Sequence, residues 1–341
     1  MQIDEKSSGL KAIQDQIFNC KSVPIYNKWK NRFMEYIRKE NLTECMESIL
    51  TFMQELSKEY APSTLWQAYS CLNKYYTTYK NWKNFNEGTI LKSFIKSIEK
   101  QGDPKKQSLI LSKEELFNFC KADHDGSPSL LAKKVVALLG YFGGLRCVEL
   151  VNLEFSDFKI STSEISINIQ SSKTDPKGIS HFSFIVPKLS DDDCDPYEII
   201  LEYMKKVENS SGRFFRNYNY KSKKFTSQPM GRNAIAKVPA FIASFLKLEH
   251  PEKYTSHCFR RSSATALADS GASLPSLKRQ FRWKSDAVAM GYIDQSKKHK
   301  MDVAQTLTIT KNMMVSNTNS ASEGTSKRLE FSNCSNIVIN L

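Results

Sequence analysis

The chain has 341 residues, 40% of them hydrophobic and 25% charged, with 13 glycines and 11 prolines, a globular composition that excludes collagenous and wholly disordered classes. Forty-nine lysines and arginines against 36 acidic residues leave a formal charge of +13, which favours a polyanionic partner. No run approaches the roughly 18 apolar residues that span a bilayer, and the start M-Q-I-D-E-K-S-S-G-L lacks a basic-then-apolar export signal, so a soluble intracellular protein with no membrane partner is expected.

At roughly 100–200 residues per domain the length suggests two domains. The charge is uneven. Residues 201–300 carry 20 basic and 7 acidic residues, whereas 101–200 carry 11 and 15. All the net excess therefore falls in one window, as a groove for nucleic acid phosphates requires; a solvated basic face that touches nothing is the plainer alternative. The eight cysteines (Cys20, Cys45, Cys71, Cys120, Cys147, Cys194, Cys258 and Cys334) form no C-x-x-C pair and no tight Cys/His cluster, which reads as reduced thiols rather than a zinc site.

In chain order, the apolar periodicity predicts helices near 24–39, 44–58, 63–80 and 88–100. Pro62-Ser63 opens the third and Gly88 separates it from the fourth. Tyr26, Trp29, Phe33, Tyr36 and Ile37 form an apolar stripe that reads as core rather than a ligand site. The polar, basic stretch Gln101 to Gln107 carries Gly and Pro and marks a domain boundary. Beyond it, Leu111-Ser112-Lys113-Glu114-Glu115-Leu116 predicts a serine-capped helix with acids in its first turn. The apolar run Leu130 to Leu145 predicts a buried helix ending at Gly143-Gly144.

Ile165, Ile167 and Ile169 alternate with polar residues as in a half-buried strand, and Asp175-Pro176-Lys177-Gly178 is a turn sequence before a second strand, Phe182 to Val186. Residues 164–187 are thus expected to form a hairpin with Lys173 near its tip. The acidic run Asp191 to Asp195 is expected to cap a helix at 197–208; no Gly or distal Glu completes a calcium loop. From about Thr310 the Ser/Asn/Thr-rich tail is expected to be flexible, with Ile337-Val338-Ile339 a short apolar patch within it. The chain divides accordingly into an N-terminal extension (1–22), a helical domain (23–101), a linker (102–107), a second domain (108–309) and a tail (310–341). The fold class is mainly α with a small β-hairpin or sheet (α+β).

Chemistry concentrates in three places. Ser256-His257-Cys258-Phe259-Arg260-Arg261 opens a helix that stops at Gly271, and the three-residue interval puts His257 and Arg260 on one side of it. Ser285 is expected to cap the next helix, which carries Tyr292 about two turns in, and Trp283 lies just before that cap. Upstream, Gly144-Leu145-Arg146-Cys147-Val148-Glu149 sets an arginine after a tight glycine turn, with an acid three residues on that could orient it. Each feature alone has an ordinary structural reading: a helical tyrosine is usually core or surface, an H-x-x-R a structural pair, and Arg146 with Glu149 an i,i+3 salt bridge worth a few tenths of a kcal/mol.

Together, in the order Arg146, Lys173, His257, Arg260, Trp283, Tyr292, with intervals of 3, 23 and 9 residues across the last four, they resemble the tyrosine recombinase (phage integrase) family, as does the T-A-L-A-D-S-G-A-S box that follows Arg260. The resemblance covers roughly 24–300, the N-terminal helices looking like that family's core-binding domain and the rest like its catalytic domain; among relatives the style is most similar to eukaryotic Crypton-like recombinases. Departures are Arg282-Trp283 where Gly-His is usual, Phe259 for Leu, and Arg261 for His. Tryptophan offers one N–H donor and cannot titrate.

The resemblance implies an activity: a site-specific recombinase or integrase of a mobile element that cleaves and rejoins double-stranded DNA through a 3′-phosphotyrosine. Two arginines suit the charge that grows on the phosphate, giving bidentate, permanently charged hydrogen bonds. A tyrosine phenol, with a reference pKa of about 10, needs help to ionise, and His257 is the natural base. By resemblance Lys173 protonates the departing 5′ oxygen and Tyr292 is the nucleophile. No cofactor, metal or small-molecule substrate is implied. The family's partner set, a homotetramer on two DNA sites exchanging a C-terminal segment, points to residues 296–312 as that segment. The same residues leave room for a domesticated DNA-binding protein that does not cut and for a type IB topoisomerase-like activity. A nuclear location follows if the host is eukaryotic, and the nucleoid or cytoplasm otherwise.

Overall fold

In the computed structural model, described over residues 22–80, 89–102, 107–122, 127–169, 182–189, 194–207 and 211–315, two compact units form, Met1–Lys106 and Gln107–Leu341. The first is built of α1 (Val23–Lys39), α2 (Met46–Glu59), α3 (Pro62–Tyr79) and α4 (Thr89–Gln101). In α1, Trp29, Phe33 and Ile37 recur every four residues and are all buried, so one face of the helix is drawn into the core. Phe33 meets Phe52 of α2 and Tyr76 of α3, with ring centroids 5.4 Å and 6.1 Å away, and thus pins three helices at one point. Two buried aromatics keep their polar ends satisfied: Trp29 Nε1 donates to Gln67 Oε1 at 3.3 Å and the Tyr76 hydroxyl to Glu44 Oε1 at 2.8 Å. Tyr26 and Tyr36 pack at the edge of this core. Gly88 lies outside the described residues.

The second unit opens with α5 (Lys113–Lys121), entered through a reciprocal capping box: Ser112 Oγ accepts from the Glu115 N–H at 3.0 Å and Glu115 Oε2 from the Ser112 N–H at 2.8 Å. Its centre is α6 (Pro128–Phe142), largely apolar and buried from Leu130 to Gly140 except at Lys133, as a helix with almost no polar face must be. Lys134 is buried with it, its ammonium donating to the carbonyl of Ala122. The short α7 (Cys147–Asn152) follows.

An antiparallel sheet then runs in the order β1 (Phe158–Ile160), β2 (Glu164–Ile169), β3 (Phe182–Pro187). Ile165, Ile167 and Ile169 turn inward on β2, opposite Phe184 and Val186 of β3. The hairpin therefore forms over 164–187, while its connection, with Lys173 and the Asp175–Gly178 turn, lies outside the described residues.

Asp195 caps α8 (Pro196–Lys206), its carboxylate accepting from the Tyr197 N–H at 2.9 Å; Asp191–Asp193 lie outside the described residues. Strands β4 (Arg216–Asn219) and β5 (Lys224–Pro229) form a separate antiparallel pair, followed by α9 (Arg232–Ala236), α10 (Val238–Phe245), α11 (Cys258–Asp269), α12 (Leu274–Phe281), α13 (Asp286–Gln295) and α14 (Lys297–Val315). Neither β1, the β4–β5 pair nor α9 and α10 is anticipated from the sequence pattern. α14 continues past Thr310, where the tail is expected to begin.

The result is a mainly helical protein with small antiparallel sheets. One core joins α5 through α11 and the three-stranded sheet; a smaller one of Ala264, Ala268, Leu277, Phe281 and Ala289 joins α11, α12 and α13. Among the described residues, Cys45, Cys71, Cys120, Cys147, Cys194 and Cys258 form no disulfide. Among the described residues, no helix is long and apolar enough to cross a membrane.

Candidate active site

The site begins where α6 stops. Gly143 caps that helix and Gly144 adopts a left-handed backbone, φ +52, so the Leu145 N–H turns back to the carbonyl of Gly140 at 3.1 Å. Glycine is required at Gly144 twice over. Its φ is one that side chains disfavour, and a Cβ there would stand 2.4 Å from Cε1 of Phe281. The tight turn delivers Arg146 to the N-cap position of α7.

Glu149, one turn on, is buried, its side chain 1% exposed. It takes three charge-assisted bonds: Oε2 from the Arg146 N–H at 2.9 Å, Oε1 from Arg146 Nη1 at 2.8 Å, and Oε2 from Arg282 Nη2 at 2.7 Å. A carboxylate so held fixes both guanidinium groups in place.

Arg260 lies in the first turn of α11 and is 6% exposed. Nη1 donates to the carbonyl of Gly144 at 2.7 Å and Nη2 to the carbonyl of Phe281, which ties the helix to the α6–α7 turn and to the end of α12. Burial first, and then the like charges of Arg146 and Arg282, push its pKa down to about 9 against the opposing pull of Glu149 and Tyr292; it is a cation at neutral pH. Arg282 is lowered as well, chiefly by burial and further by Arg146, with Glu149 opposing. Three buried or half-buried guanidiniums around one carboxylate leave an excess of positive charge, which an anion would relieve.

Above Arg260 lies an aromatic stack. Its Cζ is 5.6 Å from the ring centroids of both Phe281 and Trp283. Phe281 and Trp283 stack at 4.9 Å, and Trp283 and Tyr292 at 5.1 Å with ring planes 12° apart. Tyr292 projects from α13 onto the smaller core, which brings its phenol into electrostatic reach of Arg260. Ser285 occupies the N-cap position of α13 but makes no side-chain capping bond, contrary to expectation; the entry of the helix is tied instead by an ion pair between Lys278 and Asp286.

Arg146, Glu149, Arg260, Trp283 and Tyr292 are thus brought together. His257 stands exposed at the N-cap position of α11 rather than inside the helix, with Arg260 buried three residues on. Lys173 lies outside the described residues. The sequence reading missed Arg282 as a member of the cluster, noting only that it stands where glycine is usual; the structure holds it left-handed at the end of a helix, φ +53, a conformation that costs a non-glycine residue roughly 1–2 kcal/mol. Among the described residues no group of three or more His, Cys, Asp or Glu side chains could hold a metal ion.

No curated protein matches the chain in sequence. Three solved structures are similar in fold: the XerH site-specific recombinase bound to palindromic difH substrate in a post-cleavage complex (17% identity, 87% of this chain and 84% of that one, TM-score 0.56); the Tn1549 transposon integrase in complex with transposon right end DNA (16%, 88% and 98%, TM-score 0.54); and a lambda integrase dimer bound to a COC' core site (14%, 85% and 95%, TM-score 0.52). Residues 110–299 match the phage integrase family. That match spans more than half of the chain and contains every residue of the cluster, so the chain belongs to the phage integrase family, the tyrosine recombinases that transfer DNA strands.

Proposed function

We propose that this protein is a site-specific recombinase or integrase that cleaves and rejoins double-stranded DNA through Tyr292. The observation that carries the reading is a tyrosine stacked on Trp283, whose ring lies 5.6 Å from the Arg260 guanidinium, with Arg260 fixed by backbone carbonyls and Arg146 by a buried carboxylate. Arg146 and Arg260 hold the non-bridging oxygens of the scissile phosphate, where negative charge grows as the fifth bond to phosphorus forms. The Tyr292 phenol oxygen attacks phosphorus and gives up its proton, for which His257 is the candidate acceptor. The bond from phosphorus to the 5′ oxygen breaks, and that oxygen takes a proton from Lys173 to leave as a hydroxyl. The product is a 3′-phosphotyrosine that keeps the phosphoester bond energy, so a 5′ hydroxyl from another strand can reverse the step. Trp283 gives one indole N–H to the same phosphate, and Glu149 keeps Arg146 aimed.

Double-stranded DNA as the partner is supported by the +13 charge concentrated in residues 201–300 and by the DNA held in the XerH, Tn1549 and lambda integrase complexes. The working assembly is a homotetramer on two DNA sites. The test uses a nicked suicide duplex bearing a site selected by the protein from random sequence. Wild type is expected to form an SDS-resistant adduct and Tyr292→Phe none. No adduct from wild type, or equal adduct from both, overturns the reading, and relaxation of arbitrary supercoiled plasmids would favour a topoisomerase instead.

A further inference from the structure

Arg282 occupies its place against every local preference. Its backbone is left-handed at φ +53, ψ +43, where glycine would sit without strain. Its side chain is 11% exposed, and its Nε and Nη1 are buried without a hydrogen-bond partner. Two like charges, Arg146 and Arg260, lie within electrostatic reach. What holds it there is a 2.7 Å bond from Nη2 to Glu149 Oε2 and a guanidinium carbon 3.9 Å from the ring centroid of Phe182.

These two contacts are not equivalent to ordinary packing. Glu149 is the residue whose other oxygen takes Nη1 of Arg146 at 2.8 Å. Phe182 is the first residue of β3 and pairs with Ile169, the last of β2, so the second contact grips the last strand pair before the hairpin's connection. One side chain therefore joins the carboxylate that aims Arg146 to the strands whose connection carries Lys173. Strain, desolvation and repulsion gathered at one residue beside a reactive cluster are how a fold stores function at the expense of stability.

We infer that Arg282 is a positioning residue for strand cleavage: by bridging Glu149 and Phe182 it locks the aim of Arg146 and ties the β2–β3 hairpin to the arginine cluster. The inference rests on the recombinase reading and adds to it a residue outside the expected Arg, Lys, His, Arg, Trp, Tyr set.

The test compares full-length wild type with Arg282→Gly, which relieves the backbone and removes the bridge. Thermal unfolding of Arg282→Gly is expected at or above the wild-type temperature and its DNA Kd close to wild type, while the single-turnover rate of adduct formation on the nicked duplex falls about 10–100-fold, the usual effect of losing a residue that orients a reacting group. Arg282→Lys, which keeps the charge, is expected to recover part of that rate. Because part of the effect runs through Glu149, the double variant Arg282→Gly with Glu149→Gln is expected to lose less rate than the two single losses multiplied together. A wild-type rate in Arg282→Gly, losses that add in full, or a slower rate accompanied by a lower unfolding temperature and weaker DNA binding would overturn the inference. Adduct from wild type and equally from Arg282→Gly fails this inference alone; no adduct from wild type fails the recombinase reading and this inference with it.

Discussion

Arg260 is the side chain with the most to lose. Buried and fixed by the carbonyls of Gly144 and Phe281, it presents a planar fork that lysine cannot reproduce with one ammonium. Arg146→Ala and Arg260→Ala are each expected to slow cleavage about 10²–10³-fold with only a modest loss of binding, read by single-turnover adduct formation beside fluorescence anisotropy; full activity in either would refute the role. Because the folded pKa of Arg260, about 9, lies below the ordinary guanidinium range, the folded state holds this proton less well than the unfolded one. The sign is therefore a stability cost present in full below pH 9 and relieved as pH rises above it. An anion relieves the same cost at neutral pH, so orthophosphate is expected to raise the unfolding temperature of wild type more than that of Arg260→Ala, by calorimetry; an equal rise would count against a charged, anion-seeking site. The Arg146–Glu149 bond was legible in the sequence because three residues on a helix start face each other. Arg282 was not, since its partner Glu149 is 133 positions away, a distance only the tertiary fold closes.

The turn between α6 and α7 decides where both arginines go. Gly144→Ala would press a methyl into Phe281, whose carbonyl holds Arg260. It is expected to destabilise the fold by about 1–3 kcal/mol through overpacking and to slow cleavage with it; an unchanged unfolding temperature would show that Phe281 can step aside. α13, by contrast, rests on the five-residue smaller core, so the helix bearing Tyr292 is joined to the rest by few buried contacts. The four N-terminal helices, α5, α6 and the β2–β3 pair were readable because periods of 3.6 and 2 run uninterrupted there. β1 has three residues, too few to alternate, and the register of β4 with β5 shifts between Arg216 and Tyr218, which erases the strand pattern. Ser285 was legible as a helix boundary and not as a hydrogen bond, since side-chain direction is set after the chain turns.

The two units carry separate cores, and the most basic stretch, residues 201–300 with 20 basic against 7 acidic residues, lies within the second. A protein making six to ten phosphate contacts loses about 10³–10⁵ in affinity between 50 and 200 mM salt. The binding constant for duplex DNA is expected to fall in that manner, with a linear plot of its logarithm against that of salt concentration; a flat plot would remove phosphate contact as the source of affinity. The polar, Gly/Pro-bearing stretch Gln101 to Gln107 is read as a linker because chain that joins cores carries few apolar groups of its own.

The flat stacking of Trp283 on Tyr292, 5.1 Å between centroids, gives the protein an optical readout. Indole emission responds to a phenol lying face to face with it, and a phenol that swings out to meet phosphorus must leave that face. On the proposed mechanism, the emission of Trp283, one of the chain's four tryptophans, is expected to change as Tyr292 leaves the stack, with no label attached.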